Sequence, residues 1–131
     1  MKRMILVTLL SAALLAPLAQ ARTTRMVEHA QVSFVAPADA AKVHDAIVEV
    51  GKTHGWVASD EAPGKLTLSN TIRGTFKVVV NVSYTSTGMQ VDYVSSENLE
   101  YVVKHGGPYI HPKYNKWVDL LMQETKTKLA S

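Results

Sequence analysis

The chain has 131 residues, no cysteine, and 14 basic against 11 acidic residues, a net charge of +3. Two of the basic residues, Lys2 and Arg3, lie in a stretch expected to be removed, which leaves twelve against eleven and a net charge of +1. That balance lacks the clustered basic footprint of nucleic-acid recognition, and without thiols the fold must rest on packing rather than disulfides.

Lys2 and Arg3 form a short basic start, residues 4–18 are almost wholly apolar, and Ala19-Gln20-Ala21 closes the run with small residues. This is the tripartite layout of a secretory signal peptide, and its apolar core is too short for a comfortable bilayer span. Cleavage is expected after Ala21, leaving residues 22–131 as a single domain with Arg22 first. Acylated lipoproteins carry a cysteine directly after the cleavage site, where this chain has Arg22, so no lipid anchor is expected. No later run reaches the roughly eighteen apolar residues of a membrane span.

Over residues 26–36 the alternation places Ala30, Val32 and Phe34 on one side and His29, Gln31 and Ser33 on the other, the period of a half-buried strand. Ala40, Val43, Ile47 and Val50 then recur at helical spacing, which predicts a helix over 38–54 with Asp39 near its start and Gly55 as its C-terminal cap. Strands are predicted over 56–60 and 65–72, with Leu66, Leu68 and Ile72 inward. Arg73-Gly74 reverses the chain into the strongest strand, which faces Phe76, Val78, Val80, Val82 and Tyr84 inward. Thr85-Ser86-Thr87-Gly88 turns into a last run in which Met89, Val91 and Tyr93 share a face. Short connections of this kind make an antiparallel meander.

Residues 95–109 show no clear period. A short strand or helix is conceivable around Tyr101–Val103, and His105-Gly106-Gly107-Pro108 reads as loop. Pro112 suits the first turn of a final helix, whose apolar stripe is Tyr114, Trp117, Val118, Leu121, Thr125 and Leu129. The expected fold is α+β: a two-layer sandwich with one mainly antiparallel sheet of about four to five strands, covered on one face by two helices, in the order β-α-β-β-β-β-α. The outer sheet positions are Ser, Thr, Asn and Lys, so the second face is expected to meet water.

Chemistry-bearing motifs are sparse. His44 and His54, ten residues apart on one helix, point about 80° apart and lie roughly 15 Å apart along its axis, so they cannot share an ion. His105 and His111 flank a loop but supply only two ligands, with Glu97 and Glu100 as the nearest additions, and no metal or cofactor is assigned. There is no Gly-x-Ser-x-Gly elbow and no glycine-rich phosphate cradle. Aromatic and polar residues concentrate instead in one segment: Asn98, Tyr101, Tyr109, His111, Tyr114 and Asn115, with Trp117 on the helix stripe. Tyrosines on a loop suit a recognition surface, so these six are the candidate binding residues.

The same segment carries a resemblance. Ser96-x-Asn98-Leu99-x-Tyr101, Gly107, and Ile110-His111-x-x-Tyr114-Asn115-x-Trp117-Val118-x-x-Leu121 is similar to the C-terminal signature of a group of small exported bacterial proteins and lipoproteins of uncharacterised function. The resemblance covers about a quarter of the expected mature chain, and it implies an envelope location without implying an activity. The element order also resembles the helix-grip modules of outer-membrane assembly lipoproteins, an analogy of fold alone. The expectation is therefore a soluble periplasmic or secreted protein that binds another envelope protein, a peptide, or a cell-wall or lipid fragment, without catalysis. The alternatives are a small envelope hydrolase using His105 or His111 with Glu97 or Glu100, and a weak metal-binding protein.

Overall fold

The computed structural model describes residues 23–131, so the leader expected over 1–21 lies outside the described residues. Ten elements follow in order: β1 (Thr24–Arg25), β2 (Ala30–Ser33), α1 (Ala40–Thr53), β3 (Val57–Ala62), β4 (Lys65–Ile72), β5 (Phe76–Tyr84), β6 (Gly88–Glu97), β7 (Val102–Lys104), β8 (Gly107–Ile110) and α2 (Lys113–Ala130). The chain is α+β, with two helices and antiparallel sheets. The single sheet expected from the patterning is corrected to two: a five-stranded sheet ordered β2-β6-β5-β4-β3, and a three-stranded sheet ordered β1-β8-β7.

The main sheet forms where alternation is cleanest. Leu66, Leu68, Val78, Val80, Val82 and Val91 are each 1 % exposed or less, and they meet Val43, Ile47 and Val50 of α1 and Tyr114, Val118 and Leu121 of α2 in one core. Their neighbours along each strand face outward, so a one-residue register slip would bury the polar set instead. Helix α1 stops through a paired reverse bond: Trp56 N–H donates to the Gly51 carbonyl at 2.8 Å and Gly55 N–H to that of Lys52 at 3.1 Å. Gly55 takes a φ of +88°, which a side chain would strain. Gly51 lets Trp56 fold back onto the helix, since a Cβ there would stand 3.3 Å from the Trp56 Cβ.

Three expectations change in the C-terminal third. Strand β6 runs on to Glu97 because it absorbs an extra residue: Val80 pairs with Tyr93 and Val79 with Ser95, so Val94 bulges out. The predicted loop at 105–108 shrinks to His105-Gly106, whose positive φ angles of 48° and 77° make a tight hairpin turn. Gly107 and Pro108 begin β8. Lys104 and Gly107 flank the turn, which makes Val103 and Pro108 a non-hydrogen-bonded pair. The missing proline N–H is therefore not needed by β7, and the Pro108 carbonyl turns the other way to accept Met26 N–H at 3.0 Å. The third correction concerns Trp117, which is only partly buried; the core tryptophan is Trp56.

Candidate functional site: the β7–β8 hairpin and its surroundings

The six candidate residues separate into two groups. Four do structural work. Asn98, in a left-handed conformation, donates its Nδ2 to the Thr75 carbonyl at 2.8 Å and ties the end of β6 to the β4–β5 turn. The His111 Nδ1 accepts the Lys113 backbone N–H at 3.1 Å, so a side chain one residue before Pro112 caps α2. Asn115 clamps the N-terminal segment, accepting from Val27 N–H and donating to the Arg25 carbonyl, both at 3.0 Å. Tyr114 is 1 % exposed and is withdrawn from the binding surface by its own apolar neighbours.

Tyr101 and Tyr109 do reach the surface. Tyr101, 41 % exposed, stacks on Tyr93 with ring centroids 4.4 Å apart, and Tyr93 in turn meets Tyr114 edge-on at 5.7 Å. The result is a column of three rings from solvent to core. The Tyr93 hydroxyl bonds the Ser96 Oγ at 2.7 Å. Burial, more than this bond or Tyr101, sets the Tyr93 phenol and holds it above its ordinary value; deeper burial raises Tyr114 further.

Tyr109 lies on the outer face of the small sheet. Cross-strand pairing puts it beside Arg25 on β1 and Val102 on β7, with Lys104 and Gly107 two pairs further on and on the same face. The Lys104 Nζ sits 4.9 Å from the Tyr109 ring centre and the Arg25 guanidinium carbon 5.8 Å from it. The His105 ring stands nearly perpendicular to that of Tyr109, with ring centroids 6.2 Å apart. A Cβ on Gly107 would stand 2.4 Å from the Arg25 Nη2, so the absence of a side chain is what lets the guanidinium lie there. Val102 and Val103, 42 % and 66 % exposed, complete β7, whose outer edge has no strand neighbour among the described residues.

A second feature went unnoticed in the sequence. A polar row crosses the open face of the main sheet from Glu61 through Thr67, Asn81 and Asp92 to His29. Thr67 Oγ1 stands 2.8 Å from Glu61 Oε1 and 3.0 Å from Asn81. Both partners are acceptor oxygens, Glu61 Oε1 and Asn81 Oδ1, and the single hydroxyl proton of Thr67 serves one of them at a time. Asp92 also receives Gln90 Nε2. Glu61, Lys65, Thr67, Asn81 and Asp92 line a shallow depression of about 480 Å³ here. Outward strand positions of Thr, Asn and Asp look like ordinary solvated residues in one dimension; only the register aligns them.

The remaining histidines are spread apart. His44 bridges Asp45 at 3.0 Å and Asp60 of β3 at 2.8 Å, and these two hydrogen bonds, Asp45 first, raise its pKa above the ordinary value. His54 meets Glu124 of α2 at 2.9 Å. Among the described residues no three His, Asp or Glu side chains gather as a metal site would require. His105 lies against Tyr109, His111 against Phe76, and Glu97 opposite Lys77 on the open sheet face. No helix among the described residues is long and apolar enough to cross a membrane. No family model, no curated protein and no solved structure matches the chain.

Proposed function

We propose that the chain is an exported bacterial envelope protein, cleaved after Ala21, that acts by binding a partner through the β7–β8 hairpin. The observation that carries this reading is the run of exposed Tyr101, Val102 and Val103 leading into and along β7, a strand with a free edge among the described residues. Apolar and aromatic side chains beside unpaired backbone groups are what an extended segment of another envelope protein needs in order to add a strand. The two-layer scaffold holds the hairpin from beneath: Pro108 and Ile110 are buried, and Leu99 accepts His111 N–H at 2.8 Å. The resemblance of residues 96–121 to exported proteins agrees with the location.

Crosslinking and capture from the native envelope test the reading. Tyr101→Ala and Val103→Asp should leave the melting temperature within a degree or two of the parent. As central anchors, each should weaken capture roughly thirtyfold, equivalent to ~2 kcal/mol. Unchanged capture by both variants would place the partner elsewhere. Mass spectrometry of the exported form should show Arg22 as the first residue; an intact Met1 would remove the location.

A further inference from the structure

The outer face of the small sheet contains a charge arrangement that packing alone does not explain. Two cationic heads from opposite flanking strands, Arg25 on β1 and Lys104 on β7, lean inward over the central strand β8. Like charges brought toward each other repel, and no carboxylate among the described residues pairs with either of them. The face supplies the means of holding them: the π face of Tyr109 attracts both, and Gly107 leaves the gap the guanidinium occupies. His105, at the turn, brings a third nitrogen-bearing group against the same ring.

We propose that this face is an oxyanion site that takes the phosphate group of a small phosphate-bearing ligand or lipid headgroup. Two fixed positive charges with several N–H donors match a tetrahedral phosphate better than a single carboxylate, because the donors approach from two sides instead of one fork. An anion between the heads turns their mutual repulsion into two attractions, and the Tyr109 hydroxyl adds a donor at the ring tip. The site shares its hairpin with the docking reading, and Val102 borders both, but its charge-bearing side chains, Arg25 and Lys104, and the Tyr109 between them differ from Tyr101 and Val103, the two positions that test docking. The two therefore fail separately.

The experiment follows the Arg25 side-chain N–H and the Gly107 amide by NMR while inorganic phosphate is titrated into the purified protein, with chloride at matched ionic strength as control. A parallel arm measures co-sedimentation with phosphatidylglycerol vesicles against phosphatidylcholine vesicles. Saturable shifts with phosphate, weakened about tenfold or more by Arg25→Gln or Lys104→Gln, are expected. Gly107→Ala should displace only the flexible end of Arg25, so it should cut affinity without lowering the melting temperature. Binding of phosphate with no vesicle preference assigns the site to soluble phosphate esters. Variant-sensitive sedimentation with phosphatidylglycerol assigns it to headgroups. Equal shifts with chloride, or no response in either arm, overturn the proposal, whatever Val103→Asp does to partner capture.

Discussion

Tyr114 shows how much a single hydroxyl can cost. Its ring is enclosed by the core, and its oxygen has no hydrogen-bond partner among the described residues. Burial pushes the phenol well above its ordinary pKa, so it stays neutral. A buried polar atom left unpaired costs about 1–3 kcal/mol. Tyr114→Phe removes that cost and keeps the ring, so the variant is expected to melt at or above the parent temperature; a clear fall would show that the oxygen has a partner. The two tryptophans separate in a similar way. Helical spacing put Trp117 on the apolar stripe, but the buried arc of α2 is centred on Val118, Leu121, Met122 and Thr125, leaving Trp117 on its flank. There it lines a groove of about 310 Å³ with His54, Ile72 and Leu120. Trp56→Ala should cost about 3–5 kcal/mol, and Trp117→Ala clearly less, as measured by denaturant midpoints.

At the level of elements, the legible parts are those where one physical rule acts alone. Strand β4 begins and ends where its alternation does, and α1 is shorter than expected by two residues at its start and one at its end. The β7–β8 hairpin was illegible because glycine and proline mark loops on average, while here a non-hydrogen-bonded pairing position admits the proline. The bulge at Val94 interrupts the period of β6, because one extra residue there has no partner on β5. The candidate site was legible as a region and not as a set of contacts. Of the residues in the C-terminal pattern, Leu99, Ile110, Tyr114, Val118 and Leu121 are buried and Asn98 and Asn115 are anchors, so the pattern chiefly records how hairpin and helix are joined. Asn115→Ala should remove both of its bonds to the N-terminal segment, costing about 1–3 kcal/mol. Amide exchange at Val27 should rise while β4 and β5 stay protected.

For the whole molecule, the His44 bridge gives stability a pH dependence with a definite sign. His44 joins α1 to Asp60 on the edge strand β3, and its folded pKa is raised, mainly through Asp45 and then Asp60. The bridge contributes in full below the unfolded value of about 6.5, and this contribution is lost as pH rises through the higher folded value. His44→Gln should therefore lower the melting temperature at pH 5 more than at pH 8. An equal effect at both pH values would mean that packing against Tyr84, 6.2 Å away, is what matters. No sequence spacing reveals this link, because it joins a helix and a strand through the tertiary fold.

The Asn115 clamp also sets an order in time. Val27 and Arg25 are bound by a residue 88 and 90 positions further along the chain, and β1 has β8 as its strand neighbour. The first described residues to leave a ribosome thus lack these partners until nearly the last have followed. Contacts this distant in sequence pay their loop-closure entropy before they gain anything, so the main sheet can zip through its local hairpins while the N-terminal segment waits. The segment from Thr24 to Val27 is therefore expected to close last, like a latch. A protein stalled partway through would hold the five-stranded sheet's meander but leave the outer face of the small sheet, with its paired cations, unbuilt.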